Sequence, residues 1–300
     1  MTNLLLVFIC LCLGLLCRRS TQFPDNSATI LNNYVIFVAL PALILKEIPS
    51  LSMNSEALLP VMMAWGVMLV ATIAVLLCAR FFSWSRSLTG AMLLVCVLGN
   101  TSFVGLPLLE AHLGTAAIPY GILYDQLGTF LALNTFGIAV ASLCSDGNTG
   151  INPALFTKIL RFPPFIALLL AFLLRPFEYP AWCFEILSRL ASTLVPVVMV
   201  AVGLQWQLRP ERKQLLPLAL ALFIILIFKP AFSFGVLKGL GFEGFVAQVV
   251  VLEAAMPAMI SAGALAVSHN LAPRLAASIV GYSLLFSLGS VWLWKIVVTL

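Results

Sequence analysis

Charge is what this sequence has least of. Asp, Glu, Lys and Arg make up 9% of its 300 residues, against about 25% in an ordinary soluble domain. That scarcity excludes a wetted surface over most of the molecule. The apolar residues, 62% of the chain, come in unbroken runs that exclude the striped pattern of a soluble helical domain. Enzyme chemistry is equally short of parts. An intramembrane hydrolase needs paired aspartates, an HExxH helix or a serine with a histidine at depth. The chain has three Asp, two distant His (His112 and His269) and none of those motifs. The seven cysteines are odd in number and lack metal-ligand spacing, so neither a disulfide framework nor a metal site is expected, and no cofactor is implied.

The net charge of +5 does not indicate a nucleic-acid partner, because the basic residues stand singly or in twos and threes between apolar runs. Their distribution reads as membrane topology. Met1 to Cys17 has no basic leader and no small-residue cleavage site, so it reads as a first membrane helix rather than a signal peptide. Ten spans are expected, near 2 to 17, 27 to 48, 58 to 82, 87 to 113, 116 to 143, 154 to 175, 183 to 206, 214 to 237, 244 to 268 and 274 to 298. Arg18, Arg19, Arg80, Arg86, Lys158, Arg161, Arg209, Arg212, Lys213 and Arg274 fall in or beside the odd connections, whereas the even connections and tail hold Lys46, Arg175, Lys238 and Lys295. The bias places the odd connections in the cytoplasm and both termini on the non-cytoplasmic side. Trp84 and Trp206 at one interface, with Trp182, Trp292 and Trp294 at the other, fit aromatic belts, and Trp65 sits deeper.

The chain repeats internally. Leu11 to Arg18 (LCLGLLCR) resembles Leu168 to Arg175 (LLLAFLLR), Pro41 pairs with Pro196, and VCVL at 95 to 98 pairs with VVVL at 249 to 252, all at nearly one offset. An odd number of spans per half makes the second half enter the membrane from the opposite side. The expected fold is therefore all-α and integral to the membrane: ten helices in two inverted five-helix repeats, residues 1–150 and 151–300.

In such folds the paired broken helices meet at the midplane and form the site. The fourth span is interrupted between Gly99 and Pro107, where Gly99, Gly105 and Pro107 loosen the helix and Asn100, Thr101 and Ser102 offer hydrogen bonds. The ninth is interrupted between Glu253 and Gly263, around Pro257. One such helix is as well explained by a proline kink with small packing residues. Matching interruptions in both halves favour a binding site, and half-helix N-termini there favour an anionic group. Gly99, Asn100, Thr101, Ser102 and Pro257 are the substrate candidates, with Gly105, Pro107 and Gly263 as hinge positions where the two spans cross.

Asn100 to Leu109, NTSFVGLPLL, closely resembles the NTLVMGIPLL crossover of PIN-type auxin carriers, and EAAMP at 253 to 257 resembles their QAALP. Leu31 to Leu43, LNNYVIFVALPAL, resembles their second helix. The chain is identified on these motifs as resembling the auxin efflux carrier family, in a compact, bacterial form that lacks the long central insert and has Gly99 where the plant pattern has proline. The resemblance implies transport of a small organic anion, a moving domain that slides in elevator fashion against a scaffold of the first, second, sixth and seventh spans, and a homodimer formed through that scaffold. It implies contact of the residue at Asn100 with substrate and residence in a bacterial inner membrane. Auxin itself is not implied.

Two carboxylates lie at depth. Glu253, halfway along the ninth span, costs about 2.5 to 3.5 kcal/mol if charged and unpaired, so it is protonated, holds a cation, or bonds an unwound backbone. Asp125, with Gln126 and Asn134 nearby, either joins it in coupling to H+ or Na+ or anchors the neighbouring broken helix. Lys229 is expected to snorkel outward past Pro230. Glu110 and the two histidines read as solvated rim positions. The leading expectation is a secondary carrier of a small organic anion, an efflux carrier with possible proton coupling. The alternatives are a sodium-coupled symporter of the bile-acid type and a membrane sensor that binds a solute without moving it.

Overall fold

The computed structural model describes residues 2–20, 22–24, 26–51, 55–145, 160–177, 179–205 and 214–299. Among them every regular element is helical, apart from one isolated backbone bridge between Gly99 and Ala258. The helices are α1 Thr2–Cys17, α2 Ser27–Glu47, α3 Glu56–Phe81, α4 Arg86–Val97, α5 Leu106–Leu113, α6 Thr115–Cys144, α7 Pro163–Leu174, α8 Ala181–Gln205, α9 Leu215–Gly239, α10 Phe245–Ala254, α11 Ile260–Ser268 and α12 Pro273–Thr299. Six of these, α2, α3, α6, α8, α9 and α12, are long and apolar enough to cross a membrane, and α1, α4, α7 and α10 are shorter apolar helices. Large apolar side chains such as Leu16, Met62, Leu69, Leu173, Trp182 and Leu293 face outward, as a bilayer-embedded protein requires. Lys158, Trp206, Arg209, Arg212 and Lys213 lie outside the described residues, as does the start of the sixth expected span.

Prolines sit inside apolar runs without ending them, and the backbone shows how. A proline collides with the carbonyl four residues before it. Val35–Ala39, Thr101–Gly105 and Ile224–Phe228 are single widened π-helical turns, and each begins six residues before a proline: Pro41, Pro107 and Pro230. The wider turn moves the obstructing carbonyl aside and frees backbone acceptors. Tryptophans take up two such acceptors. Trp294 Nε1 donates to the Leu226 carbonyl at 2.9 Å, and Trp65 Nε1 donates to the Leu127 carbonyl, within another widened turn, at 3.0 Å. Trp294, expected in an interfacial belt, is thus half-buried and spent on α9.

Two hydrophobic cores result. One gathers α3, α4, α9, α10, α11 and α12; the other is built by α1, α2, α7 and α8 around α5 and the start of α6. A close helix approach lies between α1 and α8, where Gly14 faces Gly203. A Cβ on Gly203 would stand 2.8 Å from the Gly14 Cα, and one on Gly14 2.9 Å from the Gly203 Cα. Small residues permit this backbone contact, the usual source of helix affinity in lipid.

Gly203→Val should therefore cost about 1–3 kcal/mol by overpacking and lower the melting temperature of the detergent-solubilised protein. Gly66→Val, where a Cβ meets nothing within 4 Å, should leave it unchanged. Equal melting temperatures would contradict this packing.

Candidate functional site

Two helical rods stop in the interior and resume. The chain leaves helix at Leu98 and winds again from Thr101; it leaves helix after Ala254 and resumes at Ile260. Each gap exposes backbone donors and acceptors, which in an apolar interior must find partners. They find each other. Asn100 N donates to the Pro257 carbonyl at 2.8 Å, and Met259 N donates to the Leu98 carbonyl at 2.9 Å, an antiparallel bridge of Gly99 with Ala258. The Ala258 amide donates to Ser283 Oγ on α12 at 3.0 Å.

This places Gly99, Asn100 and Pro257 at the junction itself. Gly105, Pro107 and Gly263, expected at the hinge, stand beyond it, because helix has already resumed. Pro107 follows directly on the widened turn Thr101–Gly105, which accommodates it within continuous helix. Gly263 lies within α11, pressed on Val280: a Cβ there would come 2.7 Å from Val280 Cγ2.

Asn100 caps the resumed helix, its Oδ1 accepting from Phe103 N at 3.2 Å. Its amide nitrogen, Nδ2, is buried and has no partner. Thr101 and Ser102 turn to Asp125 instead. Thr101 Oγ1 donates to Asp125 Oδ1 at 2.6 Å and Ser102 Oγ at 3.0 Å, Gln126 Nε2 donates to Oδ2 at 2.7 Å, and Thr129 Oγ1 lies 3.2 Å from Oδ1 and beside Thr101 Oγ1. Asp125 therefore fastens α6 to the junction. These contacts are those of an anchor.

Glu253, 1% exposed, is placed differently: neither carboxylate oxygen has a hydrogen-bond partner. The carboxyl group rests on the backbone of two glycines. A Cβ on Gly105 would come 2.6 Å from Oε2, and one on Gly121 3.0 Å from Oε1. Gly121 lies one turn before Asp125 on α6, so both acids gather where α5, α6 and α10 meet. Asn134, by contrast, bonds only the Phe130 carbonyl. Among the described residues, no group of three or more His, Cys, Asp or Glu side chains is placed to hold a metal.

Lys229 corrects an expectation. It is 2% exposed, so it does not snorkel. The widened turn Ile224–Phe228 and Pro230 set the rotation of α9 at this point, and the ammonium ends 3.6 Å from where a Cβ on Gly99 would be. Ser233, one turn on, is fully buried with an unpartnered Oγ. Sequence reading passed over Ser233, although its spacing of four from Lys229 puts both on one helical face.

Two cavities flank this region. One of about 1040 Å³ is lined by Arg18, Ser27, Gln205, Ile260, Ala264 and Arg274 among others; a smaller one of about 190 Å³ is lined by Leu6, Leu43, Pro107, Glu110 and Ser192 among others. Leu6 and Arg18 mark opposite ends of α1, so the cavities approach the interior from opposite ends of that helix. Glu110, expected on a solvated rim, lines the smaller cavity and is partly buried.

Apolar helices facing outward and two broken helices bonded to each other in the interior define an integral membrane protein with a polar site at depth. The chain belongs to the membrane transport protein family, the auxin efflux carrier family that the motifs resemble, with residues 1–144 and 148–295 matched. It is 28% identical to an uncharacterized transporter of Methanothermobacter thermautotrophicus over 98% of this chain and 97% of that one. It is 27% identical to an uncharacterized transporter of Methanocaldococcus jannaschii over the same shares. A Rhizobium meliloti protein named "Putative malonate transporter" is 24% identical over 85% of this chain and 82% of its own length. The protein is a membrane transporter and not an enzyme.

Removing the anchor has a readable cost. Asp125→Ala leaves Thr101 and Ser102 without their acceptor and should destabilise the protein by about 1–3 kcal/mol in thermal or denaturant unfolding. Asn134→Ala, which removes a local bond only, should cost less. The reverse order would contradict the anchoring role.

Proposed function

We propose that the protein is a secondary active carrier that exports a small organic anion by elevator-type alternating access. The observation that carries this reading is the junction of the two interrupted helices, which leaves the Asn100 amide buried and without a partner. A binding group held ready at the crossing of paired broken helices is what such carriers use. The cavities at opposite ends of α1 support two-sided access, and the name of the Rhizobium meliloti relative supports a carboxylate as cargo.

In this reading the ten apolar segments all cross, as inverted repeats of residues 1–150 and 151–300. The packing supports it: α1 lies on α8 as α7 lies on α2, and α3 lies along α10 as α9 lies along α4. The first, second, sixth and seventh spans form the scaffold and the homodimer contact, both termini lie outside the cytoplasm, and the membrane is the bacterial inner membrane. Glu253 is the ion-responsive group. Its carboxyl lacks any bonded partner and adjoins Asp125, so a proton or a sodium ion reaching it changes the charge at the junction and, through Gly105, the packing of α5.

The test is flux in proteoliposomes, with acetate, malonate, malate and succinate as probes at two pH values, with and without sodium. Counterflow of at least one acid is expected, and Asn100→Ala should reduce it about tenfold or more. Transport unchanged by Asn100→Ala would remove Asn100 from the site. Glu253→Gln should flatten the pH or sodium dependence; an identical profile would place coupling elsewhere.

A further inference from the structure

Lys229 is a buried cation, and among the described residues no carboxylate forms an ion pair with it. Among the described residues two ion pairs occur, Lys46 with Glu47 and Arg189 with Glu185, and neither involves it. An unpaired ammonium at the centre of a membrane helix costs about 2.5–3.5 kcal/mol on insertion scales. The C-terminus of α4, which ends two residues before Gly99, carries roughly half a negative charge and offsets part of that cost. No carboxylate among the described residues takes up the remainder.

The side chains gathered here offer hydrogen-bond donors, beside the Met256 carbonyl. Lys229 Nζ lies against Gly99, the Asn100 Nδ2 that follows Gly99 has no partner, and Ser233 Oγ on the same face of α9 has none. An ammonium, an amide and a hydroxyl together suit a ligand that only accepts and that carries negative charge, which is the chemistry of a carboxylate. Glu253, in contrast, rests on Gly105 and Gly121, and Asp125 is bonded to Thr101 and Ser102.

We propose that Lys229 is the fixed positive charge that makes the transported solute an anion, with Ser233 as its hydrogen-bonding companion. The proposal rests on the carrier reading above and assigns the specificity of that site to α9. It requires that losing the charge weaken binding of carboxylates more than of their less charged amides.

The experiment uses the same proteoliposomes and four acids, with the monoamides of malonate and succinate as competitors. Lys229→Gln should raise the KM of each transported acid about tenfold with kcat changed less than about twofold. It should also erase the preference for each diacid over its monoamide, while Lys229→Arg keeps most of both. Wild-type KM and preference in a monodisperse Lys229→Gln protein would overturn the proposal and leave the carrier reading intact. If that variant does not elute as a folded species, Ser233→Ala reads the same site: a KM raised about threefold supports the assignment, and an unchanged KM overturns it. Wild-type vesicles that accumulate none of the four acids would overturn the carrier reading, and this proposal with it.

Discussion

Backbone amides and carbonyls that leave a helix inside an apolar interior must be paired by the protein, because no water is there to do it. This chain breaks helix twice at depth, and the two breaks satisfy each other through Asn100 with Pro257 and Leu98 with Met259. Much else hangs on that exchange. The pairing fixes where Asn100 projects, brings α9 with Lys229 against Gly99, and sets Glu253 on the glycines of α5 and α6. The widened turns before Pro41, Pro107 and Pro230 belong to the same economy of bonds, since each accommodates a proline and, in the last, the freed Leu226 carbonyl is taken up by Trp294.

Around the junction the polar groups divide by type. Glu253 and Asp125 stand toward α6, where Asp125 is saturated with donors and Glu253 has none. Lys229 and Ser233 stand on α9. Under the proposed carrier reading that difference in partnering carries functional meaning, since a satisfied carboxylate holds the structure together, whereas a group without a partner is held at a cost that a ligand or an ion removes. Asp125 belongs to the first kind. Asn100 Nδ2, Ser233 Oγ and both Glu253 carboxylate oxygens belong to the second.

The apolar helices were legible because hydrocarbon thickness sets their length and charge marks their ends, so expected boundaries lie within a few residues of those of α2, α3, α6 and α12. The two interruptions were legible from Gly99, Asn100 and Pro257, whose residue types have no use in a lipid-facing helix. Their extent was not. Pro107 and Gly263 are compatible with helix when one follows a widened turn and the other packs on Val280, and neither fact is written locally. The fate of Lys229 was hidden for a similar reason: a widened turn upstream sets which way it points, and the same sequence on a regular helix could have let it snorkel. That Glu253 would land on Gly105 and Gly121 depends on contacts across more than a hundred residues, beyond any periodicity.

The central claim is that the paired breaks form a site reached in turn from two sides. Ala264 lines the larger cavity and Ser192 the smaller, and both are exposed. In a variant with the seven native cysteines replaced, a single cysteine at either position can be labelled with a soluble maleimide in the presence and absence of a transported carboxylate. The account predicts that substrate changes the two labelling rates in opposite directions. Rates that rise or fall together, or stay fixed while transport proceeds, would contradict it.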